Sequence, residues 1–194
     1  MKLGNIATVR SGLVLSRKQA RNSLGIKYLL LNLRSINTAG YIDAEQLDVF
    51  EATENLSEDY LAQVGDVIVR LSVPYTAVLI DETTAGIVVS SNFVIIRVDS
   101  RTLLPEYLFW SLNTKKAKRS IYENSGSNML GSINAKYFVD FDIPQLPIVK
   151  QRIIAEMNEL ALKEILLLKR LSEEKQRYYS LMIENINKKM KRGN

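Results

Sequence analysis

Hydrogen-bond donors crowd two stretches of this chain. Arg10-Ser11-Gly12, Arg17-Lys18-Gln19 and Arg21-Asn22 lie close together near the start. Lys115, Lys116, Lys118 and Arg119 precede the polar segment Ser125-Gly126-Ser127-Asn128-Met129. A guanidinium binds phosphate or guanine through two parallel hydrogen bonds, and Asn or Gln does the same for adenine. Lysines and hydroxyls hold phosphates. Ser90-Ser91-Asn92, a small polar turn between apolar runs, could add further contacts. The alternatives are a solvated helix face and an ordinary connector; the presence of a second cluster at Lys115–Arg119 favours nucleic-acid contact.

Other chemistry is poorly supplied. The 194 residues contain no Cys and no His, which removes thiol nucleophiles, disulfides, thiolate or imidazole zinc sites and the usual neutral-pH proton shuttle. Neither a dinucleotide fingerprint nor a Walker loop is present. Asp66, Asp81, Glu82, Asp140 and Asp142 could in principle hold Mg²⁺ in a nuclease, but no spacing groups them. Asp66 follows Gly65 before a strand, and a turn residue bonding its own backbone accounts for it better than a catalytic acid. The expectation is a protein that is not an enzyme, with no metal and no cofactor of its own.

Charge is segregated. The excess of 26 Lys+Arg over 21 Asp+Glu lies wholly after residue 149. Before it, Met1–Ile42 holds Lys2, Arg10, Arg17, Lys18, Arg21, Lys27 and Arg34 with no acid, and Asp43–Asp66 holds only acids. This suggests a bipolar surface with one face suited to a polyanion.

The elements that must position these residues follow from periodicity. Lys27–Leu33, Val67–Leu71, Thr76–Ile80, Ile87–Val89 and Asn92–Val98 read as strands, with hairpins expected at Asp81–Gly86 and Ser90-Ser91. Ser57 should cap a short helix. Pro105 should open a helix across Leu104–Ser120, placing Lys115–Arg119 in its last turns, where cations suit the helix dipole. Ser132 should cap a turn, and Val139–Ile143 should be a strand. From Ile148 to about Met190 there is no Gly or Pro. Ile154, Met157, Ala161, Leu168, Leu171, Tyr178 and Met182 form one heptad seam, interrupted by Glu164 and Lys175. A helix so long, roughly 60 Å, exceeds what a small head needs, so its seam calls for a partner helix. Domains are expected at 1–146 and 147–194. No apolar run spans a bilayer and the start is not a secretory signal, so a cytoplasmic protein is expected.

The order of LGNIATVRSG, YLLLNLRSINTAGYID, YLAQVGDVIVRL, SSNFVIIRV, LPEYLFWSLNT and SGSNMLGSINAKYFVDFDIPQLPIVKQRIIAEMNEL resembles one half of a type I restriction-modification specificity subunit. The most telling pieces are Gly65-Asp66-Val67-Ile68-Val69 and Ile143-Pro144-Gln145-Leu146-Pro147 with Gln151-Arg152-Ile153-Ile154. In the family the junction commonly has Glu where Lys150 stands and Pro where Leu146 stands. The resemblance implies an α+β fold: a mixed α/β target recognition domain with a curved sheet, then one long C-terminal helix in an antiparallel coiled coil. It implies a non-catalytic reader of double-stranded DNA that docks methyltransferase subunits, which bind S-adenosylmethionine, and can recruit a restriction subunit. Family members have two heads and two helices; this chain has one of each. Two copies joined as a homodimer through Ile154, Met157, Ala161, Leu168, Leu171, Tyr178 and Met182 would read a gapped palindrome, and pairing with a different half is the alternative. Arg10–Gly12, Arg17–Asn22, Ser90–Asn92 and Ser125–Met129 would read bases, and Lys115–Arg119 would hold phosphates. An adaptor that binds protein through the same head remains open.

Overall fold

The apolar runs of the first 100 residues assemble two sheets that share a core. The computed structural model describes residues 1–20, 25–125 and 132–192. These fall into two units, Met1–Ala155 and Glu156–Asn194. In the first unit, β1 (Ala7–Ser11), β4 (Val67–Arg70), β5 (Ala77–Leu79) and β7 (Phe93–Val98) form an antiparallel sheet in the order β1-β7-β4-β5. β2 (Ile26–Leu31), β3 (Asp48–Ala52) and β6 (Val88–Val89) form a second sheet in the order β3-β2-β6, where β2 runs antiparallel to β3 and parallel to β6. The α+β class is as expected, with the strands divided between two sheets. Asp81–Gly86 and Ser90-Ser91 are not hairpin turns, because β6 pairs with β2 rather than with its sequence neighbours β5 and β7.

β4 explains the arrangement. Val67, Ile68 and Val69 are all fully buried, as a strand covered on both faces requires. Ile68 packs between the sheets with Leu31, Val89, Phe93 and Ile95. The helix α1 (Pro105–Asn113) lies against β4 and β5 and contributes Tyr107, Leu108 and Leu112 as fully buried side chains. Gly65 enters β4 at φ +87, a backbone that favours glycine. Asp66 then buries its carboxylate: the Gln63 N–H donates to Oδ2 at 2.9 Å, and Arg97 donates through Nε and a terminal nitrogen at 2.7 and 2.8 Å. The Gly-Asp pair is therefore a structural turn, and the Asp66 hydrogen bond raises the pKa of Arg97.

The expected helix across Leu104–Ser120 is two helices. α1 ends at Asn113 and α2 covers Lys115–Glu123, with Thr114 extended between them at ψ 148. Asn113 causes the break by clamping β5, accepting from Ala77 N–H at 3.1 Å and donating to the Ala77 carbonyl at 3.0 Å. Thr114 then caps α2 by accepting from the Ala117 N–H at 3.2 Å, a device worth about 1 kcal/mol. Ser57 caps only a 3₁₀ turn, Glu58–Tyr60. Asn134, not Ser132, caps the 3₁₀ turn Ala135–Val139. In place of a strand at Val139–Ile143 there is one bridge, Lys2 to Asp142.

The helix α3 (Ile148–Arg192) begins inside the first unit. There Gln151, 2% exposed, accepts from the Leu104 N–H at 2.9 Å and donates to the carbonyls of Leu146 and Thr102 at 2.8 and 3.2 Å. This ties the Pro144–Pro147 linker to the start of α1 and gives Gln151 its physical role. The second unit is helix through Arg192. Along α3, Met157, Ala161, Leu168, Leu171, Tyr178 and Met182 are exposed and Ile154 is partly covered. A further row, Ile153, Leu160, Leu167 and Leu181, is also exposed. It shares the Met157, Leu171 and Tyr178 positions at a spacing of 3 and 4, so the apolar stripe is wider than the expected seam. No helix among the described residues is long and apolar enough to cross a membrane.

Candidate nucleic-acid interface

The ladders bring several strand ends together. Ser11 opposes Val94 and Arg70 opposes Phe93, so β1 and β4 finish where β7 begins. Leu31 lies beside Val89, so β2 finishes where β6 does. Backbone hydrogen bonds close this end: Gly12 N–H to Phe93, Ser91 N–H to Leu13, Leu71 N–H to Asn92 and Ile133 N–H to Leu71. The Asn113–Ala77 clamp adds the junction of α1 and α2. Two of the stretches singled out in the sequence thus meet at one sheet end, Arg10–Gly12 and Ser90–Asn92, and Asn113, just ahead of Lys115–Arg119, is held to β5 by Ala77.

Burial sorts these residues. Ser11, Ser91, Asn92, Lys115 and Lys116 are exposed. Gly12 is buried, and the position needs glycine because a Cβ there would collide with the Ser90 carbonyl. Ser90 is 3% exposed, and its hydroxyl has no partner among the described residues. Ser125 is 7% exposed and donates to the Tyr122 carbonyl at 2.7 Å, finishing α2. Ser90 and Gly12 shape the rim rather than project from it. Arg21, Asn22, Ser127, Asn128 and Met129 lie outside the described residues.

The break at Thr114 changes the electrostatics of the basic block. Lys115 and Lys116 occupy the first turn of α2, not the last turns of a longer helix. Cations at a helix N-terminus oppose its dipole by about 0.3–1 kcal/mol, while an anion there is favoured. Lys115 and Lys116 are both exposed there, and an anion bound beside them would offset this local cost. Lys118 is half-buried, and desolvation lowers its pKa. Arg119 is paired with Glu123 at 2.8 Å one turn on.

The remaining cations behave differently. The basic and acidic segments that look bipolar in the sequence neutralise each other in space. Arg10 pairs with Asp59, Lys18 with Glu54, Lys27 with Glu51 and Arg34 with Asp48. For the last three the cause is topology: β2 lies antiparallel to β3, and Gln19 bridges to Ala52 at the end of β3. Lys18 lowers the Glu54 pKa through their hydrogen bond. Arg17 is exposed, with no ion pair among the described residues. Gln19 bridges to Ala52, so Arg17–Gln19 sits at the far end of β3 from Ser90, about 15 Å away along the strand.

Among the described residues no group of acids could hold a metal ion. A concavity of about 580 Å³ between α2 and the Ala135–Val139 turn mixes Lys2 and Lys116 with Asp140 and Asp142. Lys2 is already spent on the Asp140 carbonyl at 2.8 Å and on Asp142.

No family model matches the sequence, and no curated protein matches it. Solved structures do. A chain from a structure of complex assembly and conformational transition in the type I R-M system is 17% identical, with TM-score 0.66, covering 94% of this chain and 46% of that one. The HsdS subunit from Thermoanaerobacter tengcongensis is 19% identical, with TM-score 0.66 and the same coverage. The chain therefore has the fold of about half of an HsdS subunit. It spans less than half the length of the solved chains it matches.

Proposed function

We propose that this chain is a non-catalytic DNA-recognition subunit of a type I restriction-modification system in single-half form. The observation that carries the reading is the match of nearly the whole chain, head and helix together, to under half of an HsdS subunit. The head (1–146) reads one half-site. Ser11, Ser91 and Asn92 lie nearest the bases, Arg17–Gln19 extends the contact to the far end of β3, Ser125–Met129 adds further base contacts, and Lys115 and Lys116 hold phosphates. The helix (147–194) pairs antiparallel with that of a second copy, so that a homodimer recognises a gapped palindrome. The apolar stripe is wide enough to seat more than one helix, which leaves room for methyltransferase subunits and a restriction subunit beside the paired helices. S-adenosylmethionine belongs to the methyltransferase, and the complex works in the cytoplasm.

One observation favours a second reading, an adaptor whose head binds protein: five of the first segment's cations, Lys2, Arg10, Lys18, Lys27 and Arg34, are already paired with carboxylates. Binding of the full chain to random duplex across a salt series separates the two. A recogniser loses affinity steeply as salt rises, with a log–log slope of about −0.9 per phosphate contacted. An adaptor shows no binding to titrate.

A further inference from the structure

Most arginines of the head have a carboxylate partner: Arg10, Arg34, Arg97, Arg101 and Arg119 are all ion-paired. Arg70 is not. It ends β4 on the same face as Ile68, half-buried at the rim of the core between the sheets. Its Nε donates to the Ser72 hydroxyl at 2.9 Å, and one terminal nitrogen reaches the Leu33 carbonyl only at 3.5 Å. No acid faces it among the described residues, and desolvation lowers its pKa. A cation withdrawn from water without a counter-ion is costly. Lys27, Arg34 and Arg10 show how readily this fold supplies one elsewhere.

The loop that follows is held with equal care. Tyr75 is 3% exposed and has φ 53, a left-handed backbone rare for a bulky side chain and a mark of strain kept at functional positions. Leu71 N–H binds the Asn92 carbonyl, and Ile133 N–H binds the Leu71 carbonyl. Arg70 therefore stands at the centre of the sheet end that gathers Ser91, Asn92 and the α1–α2 junction.

We propose that Arg70 is a DNA-contacting residue whose counter-ion is a pair of acceptors on duplex DNA, either phosphate oxygens or a guanine edge. The inference rests on the DNA-recognition reading and deepens it. Ser72 fixes Nε and so orients the guanidinium, and the two terminal nitrogens form the fork that both acceptors fit. No pattern in the sequence marks this residue; only its isolation in the folded head does.

The test uses the full chain with two probes, a random-sequence duplex and a duplex enriched by the wild-type protein from a random pool. Arg70→Gln should keep the wild-type unfolding midpoint or exceed it, since it removes an uncompensated charge, and should weaken binding about tenfold or more. Loss on the enriched duplex alone assigns a base edge; loss on both, with the salt slope shallower by about one, assigns a phosphate. Arg70→Lys, which keeps charge but not the fork, should also weaken binding. Arg101→Ala, at the opposite end of β7, should not. If the wild type binds and Arg70→Gln binds equally with an unchanged slope, the role of Arg70 is overturned and the DNA reading stands. If the wild type binds neither probe, the DNA reading itself fails and takes this inference with it.

Discussion

Asp66→Ala tests whether the most buried acid of the head is architecture. The Asp66 side chain is 1% exposed and accepts three hydrogen bonds, one from the Gln63 amide and two from Arg97. Removing it strands a turn amide and a guanidinium. Breaking a fully buried pair costs about 3–5 kcal/mol. The Arg97 side chain is 35% exposed, so water recovers part of its solvation, and the expected loss is about 2–3 kcal/mol. Asp66→Asn keeps one acceptor and should lose about 1–2 kcal/mol. Arg97→Met leaves the carboxylate buried alone and should cost at least as much as Asp66→Ala. The double variant should fall short of the sum by about 1–3 kcal/mol, the coupling of two groups in contact. Urea unfolding followed by circular dichroism measures each value, with an unchanged denaturant slope as the check on two-state behaviour. A loss under 0.5 kcal/mol for Asp66→Ala, or strict additivity in the cycle, would refute the structural role.

Three further outcomes follow from the same geometry. Leu168→Asp places a charge in the helix stripe twice per symmetric dimer; at about 2 kcal/mol per copy the dissociation constant should rise about a thousandfold, and an unchanged mass by sedimentation equilibrium would show that the stripe is not the interface. Lys116→Ala and Arg17→Ala should each weaken duplex binding about three- to tenfold with native stability, whereas Arg101→Ala should leave titrations by fluorescence anisotropy unchanged; equal affinity in both of the first two would discredit the proposed face. The Asp99 carboxyl is held at about 2, below its usual 3.8, chiefly by its hydrogen bond from Arg101. A depressed acid stabilises the fold above its unfolded value and ceases to as pH falls toward 2, so Asp99→Asn should flatten the decline in stability between pH 4 and 2, and an identical acid limb would contradict this.

Strands with continuous apolar runs were legible from the sequence, as were the long helix and most of its stripe, because burial on both faces and a spacing of 3 and 4 are local patterns. What joins what was not. The partner of β6 is β2, some 60 residues earlier, and no local signal distinguishes that from a hairpin with β5 or β7. The break at Thr114 depends on Asn113 reaching the backbone of a strand far away in sequence, so propensity alone extends one helix through it. Charge segregation along the chain became neutralisation across strands for the same reason, since β2 and β3 carry opposite signs and lie side by side. Of the candidate interface, Lys115, Lys116, Ser91 and Asn92 emerge exposed, while Gly12 and Ser90 serve the rim from within. Arg70 could not be found beforehand, because a single arginine closing VIVRL looks like any strand end until the folded head brings no described acid to face it.

The central claim is that two copies of one DNA-reading head are set at a fixed separation by paired helices. Enrichment of duplexes from a random pool by the purified chain, followed by sequencing, tests this most directly. The expected result is two half-sites in inverted repeat around a spacer of constant length. Enrichment of a single unrepeated site, or no enrichment above the starting pool, would contradict it.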